Sequence, residues 1–168
     1  MLHFTITDSE FNSFRKFIYD HAGINLGDEK KTLVSSRLSK RLRHYSLTNF
    51  QEYFDFMCSP GNAGERQMAI DLLTTNETYF FREPKHFEFL KNKVLPEWNS
   101  VRTLRLWSAA SSTGEEAYSL AMLFDDMLGN NNWEIFGSDI SHQVLDKARQ
   151  GHYLINRIDG IPKDYLHK

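Results

Sequence analysis

One cysteine and four prolines are all that 168 residues contain, and no apolar run approaches the length of a membrane span. With Cys58 alone, no internal disulfide can form. Set among Phe56, Met57 and Pro60, that cysteine reads as a small apolar filler. An excess of either charge is also missing, since 20 basic and 22 acidic residues leave a formal net charge of -2. No whole-molecule field then draws in nucleic acid or an acidic membrane, and electrostatic recognition has to come from a local patch. The opening Met1-Leu2-His3-Phe4-Thr5 has no basic stretch followed by an apolar one, so no leader and no membrane insertion are expected and a cytoplasmic chain is. The seven histidines form no HxxxH-like pair, and no metal is assigned. Repeats and low-complexity tracts are absent as well, and the composition is that of an ordinary globular chain.

What is present divides into two textures. From Thr7 to about Thr75 the apolar spacing is helical throughout. Phe11, Phe14, Phe17 and Ile18 form one face of a first helix that Thr7 or Asp8 can cap and Gly23 ends. A second helix starts at Asp28 and carries Val34, Leu38, Leu42 and Tyr45 at steps of three or four. Thr48 or Asn49 opens a third, with Phe50, Tyr53, Phe54 and Met57, and a fourth follows the Ser59-Pro60-Gly61-Asn62 break through Met68, Ile70, Leu72 and Leu73. The stretch from Thr74 to Glu83 has neither period and reads as a linker whose Tyr79, Phe80 and Phe81 pack between domains. Pro84 can begin a connecting helix through His86, Phe87, Phe89, Leu90 and Val94, which Pro96 is expected to stop.

Beyond position 102 the pattern becomes strand, helix, strand, helix: Thr103 to Trp107, Glu115 to Leu128, Trp133 to Ser138, Ser141 to Arg149. Such alternation predicts a parallel α/β unit. The expected organisation is a helical domain over 1–74, a linker and connecting helix over 75–101, and a partial α/β domain over 102–168, an α+β chain overall.

Ligands bind open α/β sheets at the carboxyl ends of the strands. The turn there, Ala109-Ala110-Ser111-Ser112-Thr113-Gly114, holds little bulk and is not the glycine pattern of a phosphate cradle, so it suits a ligand without phosphate. Asp139 ends the second strand 25 positions after Gly114, where it can accept hydrogen bonds from both hydroxyls of a ribose, or cap the helix starting near Ser141, or do both. Glu116 has two readings too: a capping box with Thr113, or a carboxylate holding the ammonium of an amino-acid-like ligand. Arg82 lies near Asn76 and Thr78 in the linker and either faces solvent or clamps a carboxylate. On the second helix Lys30, Arg37, Lys40, Arg41 and His44 form one stripe, with no acidic residue between Lys30 and Leu47, and an acidic partner is its natural complement.

Three strings, 75–83, 106–116 and 136–141, in this order and spacing, strongly resemble the CheR-type chemotaxis methyltransferases. The helical N-terminal region with its basic second helix and the stretch from Ala148 to Leu166 are similar to that family as well. The resemblance implies a helical substrate-recognition domain followed by the first half of a Rossmann-like, class I methyltransferase domain. It implies protein-glutamate O-methylation, with S-adenosylmethionine as donor and S-adenosylhomocysteine as product. Asn76, Thr78, Arg82, Gly114, Glu116 and Asp139 would then bind the donor, Arg82 would act in catalysis, and Arg37, Lys40, Arg41 and Arg43 would face the acidic methylation helix of a receptor. Ala117 departs from the family's proline, a change expected to loosen the first turn of its helix.

Length departs further. The 65 residues after Thr103 can furnish two strands and two helices, fewer than the family's catalytic domain contains. A C-terminally truncated domain is therefore expected, its two-stranded sheet hidden in a dimer or larger assembly. A non-catalytic module that docks on an acidic receptor helix or senses the donor is the second reading. Nucleic acid is the disfavoured third partner.

Overall fold

The computed structural model describes residues 4–98, 102–129 and 132–166. Met1 to His3 of the start, and 99–101 at the end of the expected connecting segment, lie outside the described residues. The chain forms two compact units, Met1–Thr75 and Asn76–Lys168. The first is all helical and the second carries a small parallel sheet, an α+β chain with a partial Rossmann-like portion. No described helix is long and apolar enough to cross a membrane.

In the first unit, α1 (Asp8–Ala22) opens on a capping box, since Thr7 Oγ1 accepts from Glu10 N at 3.2 Å while Thr7 N donates to Glu10 Oε2 at 2.8 Å. Gly23, in the left-handed region, closes α1 by donating its amide to the Tyr19 carbonyl. The other oxygen of Glu10 accepts from Gln51 N at 3.0 Å, so one carboxylate serves the starts of both α1 and α3 (Phe50–Cys58). A 3₁₀ turn, Asp28–Lys30, leads into α2 (Lys31–His44), and α4 (Ala63–Leu73) completes the set. Val34, Leu38 and Leu42 of α2 are buried against Phe11, Phe14, Phe17 and Ile18 of α1 and against Phe50, Tyr53 and Met57 of α3. Phe14 meets Phe50 and Phe54 edge-on, which aligns ring edges with ring faces. Cys58 is exposed rather than a core filler, because the last residue of α3 lies a hundred degrees around from buried Met57.

Between α2 and α4 sits a buried carboxylate. Glu65 Oε1 accepts from Arg41 Nε at 2.8 Å and Tyr53 Oη at 2.7 Å, and Oε2 accepts from Arg41 Nη2 at 2.6 Å and Tyr45 Oη at 2.9 Å. All four acceptor positions are filled. Burial pushes the Glu65 carboxyl up, but the bonds from Arg41, Tyr53 and Tyr45 outweigh it and hold the group below the usual range. Glu10 is held low in the same way, burial being overcome by Thr7 and by the Gln51 amide.

The second unit starts with an irregular stretch over 76–83. In α5 (Pro84–Phe89) Pro84 stands in the first turn, where its missing N–H costs nothing. The helical run that starts there ends at Glu97, one residue past Pro96, where Trp98 turns extended. A π turn (Leu90–Val94) precedes Pro96, and a short α6 (Leu95–Glu97) carries it in its own first turn. The wider π turn changes the backbone pairing ahead of the proline, whose ring and missing donor are then tolerated. Phe87 and Leu95 are buried, while Phe89 and Val94 face solvent. The linker aromatics also depart from expectation: Phe80 and Phe81 pack inside this unit, on Tyr153 and on Phe87 and Tyr165.

β1 (Leu104–Ala109) and β2 (Trp133–Ser138) pair in parallel from Leu104 opposite Trp133 to Ala109 opposite Ser138. α7 (Glu115–Leu128) covers the face bearing Leu104, Leu106, Trp133 and Ile135 with Leu120, Leu123 and Phe124. On the opposite face Trp107 and Phe136 lie side by side, each 67% exposed. α8 (His142–Gln150) and two 3₁₀ turns, Ile155–Arg157 and Lys163–Tyr165, follow.

Glu65→Ala strands the Arg41 guanidinium in a poorly hydrated place and should cost ~3–5 kcal/mol of unfolding free energy, read from denaturant melts. Because Glu10 and Glu65 titrate low in the folded state, their stabilisation is complete above about pH 4.3 and drains away as pH falls through the lower folded values. The helical signal of the native chain should therefore become more denaturant-sensitive as pH falls below about 4.3, a loss that Glu65→Gln blunts. Equal acid sensitivity in both proteins would refute that role for Glu65.

Candidate functional site

β1 and β2 stop at one level, so the turns that follow them share the carboxyl edge of the sheet. The turn after β1 is contorted, with positive φ at Ala110 (57°), Ser112 (49°) and Gly114 (95°). For Ala and Ser this geometry costs roughly 1–2 kcal/mol each. Specific bonds offset it: Ser111 N donates to the Ser138 carbonyl at 2.8 Å, and Ser112 N to Asp139 Oδ2 at 2.8 Å. Asp139 Oδ1 takes the amide of Ser141, the N-cap of α8, at 2.9 Å. Asp139 thus serves the start of α8 and also clasps the neighbouring turn. Each of its oxygens retains an acceptor position, enough for two hydroxyl donors.

Gly114 is the N-cap of α7. A Cβ there would stand 3.0 Å from both Ala148 Cβ and Tyr153 Oη, so packing against α8 and the segment after it, together with φ, demands glycine. The capping box expected of Thr113 and Glu116 is not formed. With the left-handed Gly114 between Thr113 and the helix, the Thr113 hydroxyl donates instead to Glu115 Oε2 at 2.5 Å. Glu116 is exposed and takes Ser108 Oγ at 2.5 Å, which leans it over the end of β1. Glu115 is the buried member of the pair, 1% exposed, and its Oε1 accepts from Arg157 Nη2 at 2.9 Å. Positions 115, 119 and 123, four apart, lie on the inward face of α7, a spacing that could have singled out Glu115. Nothing local in the sequence marks Arg157, 42 residues downstream.

The 76–82 loop lies against this edge. The Asn76 carbonyl accepts from Ser112 Oγ at 3.4 Å, and the Thr78 carbonyl from Arg157 Nη2 at 3.1 Å. Asn76, Ser112 and Asp139 thereby form one connected set, and Thr78 joins Glu115 through Arg157. Arg82 is exposed; its guanidinium donates to the Glu77 carbonyl at 2.9 Å and lies 5.9 Å over the Tyr79 ring. A cavity of about 570 Å³ between α7, β2 and α8 opens beside Asp139, with Ser111, Gly114, Tyr118, Phe136 and Ala148 on its walls. Burial, with the Glu115 carboxylate behind it, pushes the Tyr153 phenol up, so it remains a donor, to the Thr113 carbonyl at 2.6 Å.

The basic stripe of the first unit divides on folding. Arg37 donates to the Leu72 and Thr74 carbonyls at the end of α4, and Arg41 is held by Glu65, so neither projects freely and the stripe is partly neutralised by an element distant in sequence. Lys40, Arg43 and His44 are exposed on α2, at spacings that share one face.

Comparison with known proteins matches residues 9–74 to the CheR methyltransferase all-alpha domain and residues 76–168 to the CheR methyltransferase SAM binding domain. A chemotaxis protein methyltransferase of Borreliella burgdorferi is 42% identical over 96% of this chain and 61% of its own length. Its counterpart in Escherichia coli is 41% identical over 97% of this chain and 57% of its own length. Chemotaxis protein methyltransferase 2 of Pseudomonas aeruginosa is 43% identical, with 95% and 57% covered. The chain spans about three fifths of the length of these curated relatives. With both family domains matched in order along nearly all of its residues, this chain belongs to the CheR methyltransferase family.

Proposed function

We propose that the protein takes part in chemotaxis as a protein-glutamate O-methyltransferase, with S-adenosylmethionine held at the carboxyl edge of β1 and β2. The observation that carries this reading is the clasp between Ser112 N and Asp139 Oδ2, which presents a bulk-free turn beside a carboxylate with acceptor positions to spare. The names of the relatives, all chemotaxis methyltransferases, supply the reaction class. The turn fits such a donor: Ala and Ser side chains leave room, and the carboxylates of Asp139 and Glu116 suit a ligand that is positively charged at sulfur and nitrogen.

In this reading Asp139 accepts the ribose hydroxyls, and Glu116 meets the ammonium. Asn76, Thr78 and Arg82 face the amino-acid end, with Gly114 holding the turn in shape. Bound there, the donor supplies an electrophilic methyl on a sulfonium. A receptor glutamate oxygen forms the new O–CH3 bond as the S–CH3 bond breaks and its electron pair returns to sulfur. One negative and one positive charge cancel, giving ester and thioether with no proton to move. No general base is needed, and the chain's contribution is to align the two reactants and exclude water. Arg82 is the residue assigned to orient a carboxylate during this step, by releasing the Glu77 carbonyl.

The acceptor is an acidic receptor helix in the cytoplasm. Lys40 and Arg43 are its contacts, with Arg37 and Arg41 acting from within by holding α2 against α4. A dimer or larger assembly would cover Trp107 and Phe136.

Calorimetric titration with S-adenosylhomocysteine should give saturable binding that Asp139→Ala weakens at least tenfold, the weight of about one charged hydrogen bond. Saturable binding unaltered by that substitution would remove Asp139 from the site, and no binding at all would leave docking alone as the function of these residues. Lys40→Glu with Arg43→Glu should weaken capture of an acidic receptor-helix peptide and flatten its salt dependence, with the unfolding midpoint unchanged. An unaltered salt dependence would send the search for the docking face elsewhere.

A further inference from the structure

The 76–82 loop forms no helix or strand and is tied within itself by Arg82, whose amide meets the Tyr79 carbonyl and whose guanidinium meets that of Glu77, yet it carries three of the residues assigned to the donor. On one side it rests on the turn after β1 and on α7, both in its own unit. Ser112 Oγ reaches the Asn76 carbonyl, and Phe81 N donates to Ser119 Oγ of α7 at 2.9 Å. On the other side the segment 153–165 lies across it with four contacts in chain order. Tyr153 meets the Phe80 ring edge-on at 4.8 Å, and Arg157 reaches the Thr78 carbonyl. Gly160 comes so close that any Cβ would overlap the Phe80 carbonyl oxygen. Tyr165 stacks on Phe81 at 5.4 Å with ring planes 12° apart.

Among these contacts Arg157 stands apart, because the same Nη2 also donates to Glu115, whose carboxylate is sealed from water in the first turn of α7. A buried carboxylate needs its cation, and the cation's reach then fixes where the Thr78 carbonyl sits. Loop position is thereby coupled to the helix that follows the donor turn, through a residue 79 positions away from Thr78.

We propose that the segment 153–165 is a strap that positions the 76–82 loop over the donor turn, with Arg157 as its positioning residue. The strap sets the site for the amino-acid end of the donor and leaves the Asp139 end alone. This rests on the donor-site reading above. The distinction between the two ends of the ligand separates positioning from general support of the fold, since general support would serve both ends alike.

The test compares S-adenosylhomocysteine with 5′-methylthioadenosine, the same nucleoside thioether without the amino-acid end. Affinities of both for the chain, for Arg157→Ala and for Gly160→Ala are measured by calorimetry, beside thermal melts of each protein. Arg157→Ala should weaken S-adenosylhomocysteine about tenfold and methylthioadenosine less than about twofold. Gly160→Ala should show the same selectivity with the Arg157–Glu115 pair still present, which excludes a stray effect of the bared Glu115 charge. Equal weakening of both ligands, no weakening of either, or variants that unfold would each overturn the strap. An unsubstituted chain that binds methylthioadenosine but not S-adenosylhomocysteine would overturn it while sparing the Asp139 half of the donor site. An unsubstituted chain that binds neither ligand would overturn the donor-site reading itself and the strap with it.

Discussion

The parallel register of β1 and β2 is the constraint on which the second unit depends. Ala109 opposite Ser138 ends both strands at one level, so the two turns that leave the sheet have to coexist at one edge. The first turn solves this with three positive-φ residues, and the second supplies Asp139 to receive the amide that the first turn exposes. Strained backbone and its compensating carboxylate therefore arise together. A ligand that binds Asp139 also touches the element that shapes the turn.

Each unit buries a glutamate carboxylate against an arginine, Glu65 in the first and Glu115 in the second, and the two solve the cost of burial differently. Glu65 has all four acceptor positions filled by an arginine and two tyrosines from neighbouring helices, a closed network that ties α2, α3 and α4 together. Glu115 has one arginine and one threonine, and its arginine is half exposed with a second obligation to a loop carbonyl. The closed network specifies packing, whereas the open one couples an irregular loop to a helix. Family membership and the relatives' names are what the proposal of methyl transfer rests on, and the carboxyl edge of the sheet in the second unit is where the proposed donor site is drawn.

Much of the fold was legible because it is local. Thr7 three residues before Glu10 is a capping box in sequence and in structure, and Gly23 closes α1 as its conformational freedom suggests. The steps from Val34 to Leu38 to Leu42 face inward as the helical period requires, and the alternation along 104–109 and 133–138 became a parallel pair. Where local rules competed, they misled. Thr113 and Glu116 have capping-box spacing, but the left-handed Gly114 takes the cap, and the π turn ahead of Pro96 left no composition signal.

Charge on the surface was the least legible. By itself the sequence determined the helix faces, the small-residue turn, the acidic residue at the end of β2 and, through three spaced strings, the family. Only the tertiary structure decided which of the stripe's cations are spent inside, because Glu65 and the end of α4 reach Arg41 and Arg37 from more than twenty residues away. It also decided that Glu115 rather than Glu116 is buried and paired with Arg157. Local periodicity records which way a side chain points, but a partner brought in by chain reversal is a long-range contact, and no spacing rule within one helix encodes it.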